Sequence, residues 1–403
     1  MQGEPRALGP GQEELLLACC RAQADPGAGA LLPRWARQAT EWDSLVSAAD
    51  AHGVLSLFYR SLHRFARTEV PAGPFERLRI EFEAVARHNL RLTGELLAVL
   101  EQLEAEGLSA AAYKGPALAM LLYGDLALRQ FSDIEILVRR SDLPEVKRLL
   151  LARGYRPNNP MTRGQEAAYF RSECEYNFSR PERSLLLEVH WQIVPRYLGF
   201  RLDPGLLWDQ LQPLQIGGRR VWVQAPQRQV LMLALHHGGK HHWRRLGWIC
   251  DWARLIQVPD LDWSEALQDA RRSGCQRILL VGMQLARELL SAALPPPVER
   301  GLAQDPAAAR LAADLSRQLF ESSDPKPIRL FLDLRIRDRT RDRIDYAWKA
   351  LLTPTEGDRQ LLSLPPRWIA LYYLVRPLRL SGRYALKLWR RWIGGGAVSV
   401  PGR

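Results

Sequence analysis

Apolar positions along this chain first recur at helical spacing, then alternate, then return to helical spacing. From residue 74 to 106, Leu90, Leu92, Leu96, Leu97, Leu100 and Leu103 form one stripe near the 3.6-residue period, which predicts a long helix. Shorter helical runs precede it at 13–21, 41–52 and 54–63. Strand-like stretches follow at 108–113, 133–138, 174–179, 184–193 and 219–223. The third and fourth of these are joined by the turn Arg180-Pro181-Glu182-Arg183. A helical run at 116–123 separates the first two stretches, and a helix opened by Ser141-Asp142-Leu143-Pro144 and closed by Gly154 separates the second from the third. From Gln227 the pattern is helical again, interrupted at Leu294-Pro295-Pro296-Pro297. The predicted class is α+β: a small sheet-bearing core at 91–225, a helical region at 1–90, a helical region at 226–358 and a tail at 359–403. The alternating Arg and Asp residues of 333–349 read as a solvated helix face.

The stretch at 133–138 breaks its own apolar pattern. Asp133 and Glu135 alternate with Ile134 and Ile136, so a strand sends both acids to one face. Two like charges about 4 Å apart cost roughly 4 kcal/mol at an effective dielectric of 20. A divalent cation between them reverses that sign, and carboxylate oxygens on a rigid strand suit Mg²⁺ or Mn²⁺. The competing reading is the solvent face of an edge strand. Upstream, Lys114-Gly115-Pro116 joins a strand to a helix. Such a junction can offer N–H groups and a cationic side chain to phosphate.

Taken together, Lys114-Gly115, Tyr123-Gly124-Asp125, Arg129, Asp133-Ile134-Glu135-Ile136-Leu137-Val138 and Gly154-Tyr155 resemble the uncharacterised nucleotidyltransferase family of bacteria. Leu187-Glu188-Val189-His190-Trp191 extends the likeness, as does the block His237, Lys240, His241, Trp243, Leu246, Trp248, Asp251 and Leu255. The resemblance covers roughly residues 85 to 260, and its family is placed in the polymerase-β-like superfamily. It implies a small mixed-sheet nucleotidyltransferase core flanked by helices. It also implies Mg²⁺ or Mn²⁺ held by Asp133, Glu135 and Glu188, and transfer of a nucleoside monophosphate from an NTP such as ATP to a hydroxyl. Lys114 and Gly115 would face the nucleotide phosphates, and Arg129 would contact phosphate or brace the Asp133 loop. Lys240, His241 and Asp251 would contact nucleotide or support the site, and His190 would orient Glu188 or touch substrate. The acceptor stays open among protein, sugar, small molecule and RNA.

The chain departs from the family pattern at Glu135, where Asp is usual. The extra methylene moves the carboxylate outward, and Mg²⁺ tolerates geometric error poorly. Pro116 also removes one N–H that could bind phosphate. An active transferase and a degenerate nucleotide-binding protein are both open.

Composition narrows the setting. Hydrophobic residues are 47% and charged residues 25%, within the range of folded globular chains. The five cysteines form no CxxC pair, which argues against a disulfide framework or a zinc site and for a reducing, cytoplasmic compartment. No signal-peptide pattern and no long apolar span is present. The histidine run 236–242 puts His237 and His241 four apart, yet Gly238-Gly239 weakens any helix that would present them to a metal. The net charge of +12 is uneven, because no acid follows Asp358. Basic residues there interleave with Trp368, Tyr372, Tyr373, Tyr384, Trp389 and Trp392. Such a tail suits peripheral contact with an anionic membrane, an RNA-binding accessory role, or simple packing on the body.

Overall fold

A computed structural model of the chain describes residues 8–23, 25–320, 329–361 and 366–381. The helices α1 (Pro10–Arg21), α2 (Leu32–Gln38), α3 (Trp42–Ala51) and α4 (Leu55–Phe65) precede α5 (Ala72–Ala105), which is 34 residues long. In α4, Leu55, Phe58 and Leu62 are buried, one turn apart on one face. The helix α5 runs unbroken through position 90. Its C-terminal half carries Leu92, Leu96, Val99 and Leu103 against the sheet.

Five strands form that sheet. They are β1 (Ala110–Ala112), β2 (Ile134–Val138), β3 (Arg156–Pro157), β4 (Glu175–Arg180) and β5 (Leu185–His190), in the order β1-β2-β5-β4-β3. Only β2 and β5 pair in parallel; the other neighbours are antiparallel. The helices α6 (Gly115–Tyr123), α7 (Leu143–Ala152) and α8 (Arg163–Ser172) fill the connections. A separate hairpin, β6 (Leu211–Ile216) with β7 (Arg219–Gln224), stands beside β1. The fold is therefore α+β with a mixed sheet and helical flanks.

Each face of the sheet has its own character. Ile134, Ile136, Val138, Leu187 and Val189 point to one side, where α5 and α7 cover them. Alternation sends Asp133, Glu135, Leu137, Glu188 and His190 to the other. All five residues of β2 are buried, and β2 lies between β1 and β5. This removes the reading of Asp133 and Glu135 as the solvent face of an edge strand.

The second helical set opens with α9 (Pro226–Leu233), which runs into a π-helical turn at Ala234–Lys240. Then come α10 (Leu246–Leu255), α11 (Trp263–Ser273), α12 (Gln276–Leu290), α13 (Pro296–Gln304) and α14 (Pro306–Leu319). Helix α12 is the buried axis of this set and touches α1, so the N-terminal and C-terminal helices share one core. The helices α15 (Arg329–Arg335), α16 (Thr340–Leu352) and α17 (Glu356–Leu361) follow.

The segment 333–349 is only in part the solvated face its charges suggest: Arg339 and Arg341 are exposed. Asp333, Arg337 and Asp342 are buried. The Arg337 guanidinium lies 3.7 Å from the Tyr346 ring centroid and 4.8 Å from that of Phe200, and it donates to the carbonyls of Asp333 and Leu198. Alternating charge here marks internal pairing: Asp333 accepts from Tyr346 at 2.8 Å and faces His242 Nε2 at 3.0 Å.

Part of the basic tail folds back on the body. Arg376 and Arg379 both hold Asp358, at 3.3 and 2.5 Å, and Tyr372 is buried. The remaining tail residues Arg383, Tyr384, Lys387, Trp389, Arg390, Arg391, Trp392 and Arg403 lie outside the described residues. No helix among the described residues is long and apolar enough to cross a membrane.

Candidate active site

Strand register builds the site. Glu135 pairs with Glu188 across β2 and β5, and Glu188 pairs with Asn177 across β5 and β4. The next row holds Leu137, His190 and Glu175. Neighbouring strands are about 4.8 Å apart, so the carboxylates gather on one face. Asp133 enters just before β2. The bend at Lys114 and Gly115 stands against it: a Cβ on Gly115 would lie 3.6 Å from the Asp133 carbonyl. Gly115 has φ +40°, and Lys114 takes φ +48°, ψ −136°, a backbone that L side chains rarely adopt. Strain of this kind persists where its surroundings over-determine it.

What over-determines Lys114 is visible. Its side chain is buried, its ammonium forms an ion pair with Glu135, and it donates to His236 Nε2 at 2.7 Å. An ammonium has no acceptor capacity, so His236 Nε2 must carry the lone pair. Burial first, then the Lys114 charge, hold the His236 pKa well below the ordinary histidine value. A neutral His236 thus carries its proton on Nδ1, which lies 3.0 Å from His237 Nδ1. His237 must accept there, leaving its Nε2–H directed at Asp251 Oδ2, 3.5 Å away. Burial pushes the His237 pKa down to about 4, against the pull of Asp251. Asp251 also accepts from Tyr123 Oη at 2.9 Å and receives Arg129 in a two-pronged pair at 3.0 to 3.1 Å. One direction of donation therefore runs from Lys114 through His236 to His237, whose Nε2 has no hydrogen-bond partner among the described residues and faces Asp251 at 3.5 Å.

The π-helical turn makes this arrangement possible. Gly238 and Gly239 let it approach α12 and Trp243 closely: a Cβ on Gly238 would overlap Ile278 and stand 2.7 Å from Trp243 Nε1. The turn roofs the acids with His236, His237, Lys240 and His241. The His241 ring packs 4.7 Å from that of His236 and 5.0 Å from that of Trp248. Burial and the Lys240 charge bring the His241 pKa down to about 2, so it is a neutral ring packed on His236 and Trp248. Lys240 itself bonds to Glu175 at 2.6 Å.

The acids respond unequally. Burial raises the Asp133 pKa, and the Glu188 charge adds to it. Burial raises Glu135 further; Lys114 opposes this, while Asp133 and Glu188 reinforce it. Glu188 goes the other way. Burial works against its charge, but the hydrogen bond and charge of His190, with Lys114 and Lys240, bring it down to about 2. His190 Nε2 is 3.2 Å from Glu188 Oε2.

The structure thus brings Asp133, Glu135 and Glu188 to one face, with Lys114 and Gly115 beside them and Lys240 and His241 above. Arg129 is turned to Asp251, and Lys114 and Lys240 are each held by an acid rather than free. Glu175 and Tyr113 went unread as participants in the sequence, and His236 was read only as part of the histidine run. The alternation Glu175, Tyr176, Asn177, Phe178 carried the signal for the first. The buried Tyr113 hydroxyl has no partner among the described residues. A cavity of about 740 Å³ lies apart from these acids, at the Ala110 end of β1 between α5 and the β6–β7 hairpin, walled by Trp208 and Trp222.

Comparison with known proteins returns one family. The sequence model of an uncharacterised nucleotidyltransferase family matches residues 38–291. No curated protein and no solved structure matches the chain.

Proposed function

The chain belongs to the uncharacterised nucleotidyltransferase family, and from that premise we propose that it transfers a nucleoside monophosphate from an NTP to an acceptor hydroxyl. The acceptor oxygen bonds to the α-phosphorus, the bond from that phosphorus to the bridging oxygen breaks, and pyrophosphate leaves. The observation that carries this reading is the register that sets Glu135 beside Glu188 on parallel strands, with Asp133 next to the Lys114–Gly115 bend.

The residues fit a hard divalent cation. The donors are carboxylate oxygens on rigid elements; like charge and burial disfavour the ionised forms of Asp133 and Glu135 until a cation joins them, while Glu188 is already held ionised. Asp133, Glu135 and Glu188 would hold Mg²⁺ or Mn²⁺, which supplies charge neutralisation to the phosphates and acidifies the acceptor hydroxyl. The remaining work belongs to the chain. An Asp133 oxygen that the cation leaves free would take the hydroxyl proton. Lys114 is the nearest cation to Glu135, and on release it reaches the leaving phosphates. His190 fixes the orientation of Glu188. The neutral His241 ring and Trp248 supply a face for the base.

The test is a panel of ATP, GTP, CTP and UTP with the full chain and Mn²⁺ or Mg²⁺. Pyrophosphate is measured, and mass spectrometry seeks the added monophosphate on the protein or on lysate components. Turnover is expected to fall at least about 10²-fold in Asp133→Ala and Glu188→Gln, with the fold intact by circular dichroism. NTP-induced thermal stabilisation without any product would replace this reading with nucleotide binding alone. Recovery of product in Glu135→Asp would then trace the loss to the extra methylene.

A further inference from the structure

His190 ends β5 with its ring fully buried, and its two nitrogens face different acids. Nε2 looks to Glu188 and, at 3.8 Å, to Glu135. Nδ1 has no hydrogen-bond partner among the described residues and faces Glu175 Oε2 at 3.7 Å. That separation is too long for a hydrogen bond.

Cys174 closes this corner. It directly precedes β4, and its Sγ lies 3.5 Å from the same Glu175 oxygen. Its carbonyl accepts from the N–H groups of Trp191 and Gln192 at 3.0 and 3.2 Å, which pins residue 174 beside the end of β5. Cys174 Sγ, a Glu175 oxygen and a His190 nitrogen all lie within 4.8 Å of one another. Tetrahedral Zn²⁺, with bonds of about 2.0 Å to nitrogen or oxygen and about 2.3 Å to sulfur, holds its donors roughly 3.3–3.6 Å apart. The two separations to the Glu175 oxygen, 3.5 and 3.7 Å, need adjustments of only tenths of an ångström, and the sulfur-to-nitrogen edge, within 4.8 Å, closes by side-chain rotation.

We propose that Cys174, Glu175 and His190 Nδ1 form a second cation site, for Zn²⁺, on the opposite side of the imidazole from the Glu135–Glu188 pair. Sulfur, nitrogen and oxygen donors together suit a borderline ion rather than Mg²⁺. A ligating histidine almost always donates its other N–H to a carboxylate or carbonyl, and Glu188 stands at 3.2 Å to receive it. Three protein ligands leave a fourth position for water or substrate. The Glu175 side chain, 17% exposed, is the way in. Binding breaks the Cys174 S–H bond: the sulfur keeps the electron pair for the metal, and the proton leaves to solvent. Lys240, now 2.6 Å from Glu175 Oε2, gives up that oxygen as the metal arrives. The site does not depend on the transferase reading, because metal uptake and nucleotide turnover are measured separately.

The experiment strips the full chain with chelator and titrates it with Zn²⁺ and then with Co²⁺. With excess Mg²⁺ present to occupy the Asp133, Glu135 and Glu188 carboxylates, one Zn²⁺ per chain is expected, and Co²⁺ is expected to give a thiolate-to-metal charge-transfer band. Cys174→Ser should abolish the band and weaken Zn²⁺ at least about tenfold, while Cys275→Ser, at a buried thiol elsewhere, keeps both. Co²⁺ bound without the band, or Zn²⁺ bound as tightly by Cys174→Ser, overturns the site. Should Cys174→Ser fail to fold, X-ray absorption of the wild-type zinc protein decides: one sulfur on the metal supports the site, and none overturns it.

Discussion

Lys114 concentrates the physics of the site in one side chain. Its ammonium and the Glu135 carboxylate are each only 5% exposed. Removing one member of such a pair leaves a buried charge and costs about 3–5 kcal/mol. Lys114→Met is therefore expected to lower unfolding stability by about that much in chelator at neutral pH. The loss should shrink on acidification, because Glu135 already has a raised pKa and needs no partner once protonated. Added Mn²⁺ should shrink it too, by replacing the lost cation. Urea titrations with and without Mn²⁺ test this; an equal loss under all conditions would mean that Lys114 supports only packing. Lys114→Gly should cost less than Lys114→Met, because glycine relieves the φ of +48°. Neither the strain nor the pairing was legible beforehand. Lys114-Gly115 reads as a phosphate-facing bend, and nothing local shows that His236, 122 positions away, meets the ammonium.

The elements were more legible than their junctions. Alternation at 133–138 and 184–193 located β2 and β5, because buried strands repeat with period two. β6 escaped, since Pro213 and its mostly exposed neighbours give no clean alternation. The π-helical turn escaped for a different reason. Gly238-Gly239 reads as a helix breaker, whereas here it admits Trp243 and Ile278 against the backbone. Gly282 on α12 receives the same indole from the other side: a Cβ there would collide with Trp243 Cζ2 and stand 2.8 Å from Cη2. Alanine is normally the better helix former by about 1 kcal/mol. Gly282→Ala should nevertheless destabilise by about 1–3 kcal/mol from overpacking. It should also reduce nucleotide turnover, because a displaced Trp243 moves the turn that carries His236 and Lys240. Thermal melts and the pyrophosphate assay check both effects; a stabilised variant would show that the indole has room to yield.

At the scale of the molecule, buried neutral histidines tie several parts together. His236, His237 and His241 roof the acids. His52 joins the N-terminal helices to α10, its carbonyl accepting from Gly247 N–H at 2.9 Å. Burial lowers all four pKa values, to about 4 for His52 and His237 and to about 2 for His241. In the unfolded chain these groups titrate near 6.5. As the pH falls below about 6.5, the unfolded chain takes up protons that the fold refuses, and stability drops. Each such proton contributes about 1.4 kcal/mol per pH unit. Asp133 and Glu135 act in the opposite sense. Their raised pKa values mean that the fold binds protons earlier than the unfolded chain, which returns stability as the pH falls. Among the acids only Glu135 is raised well above its ordinary value, with Asp133, Glu13 and Asp338 raised less, so the histidines dominate and net destabilisation is expected between about pH 6.5 and 5. Glu188 contributes only lower down: its stabilisation is present above the unfolded value of about 4.3 and is lost as the pH falls toward its folded value of about 2. Saturating Mn²⁺ sharpens the contrast. A cation keeps Asp133 and Glu135 ionised in the fold, removes their compensating uptake and steepens the fall. Unfolding free energies at pH 7, 6 and 5, with and without Mn²⁺, decide the matter. An unchanged slope on adding metal would mean that these two carboxylates do not share the ion.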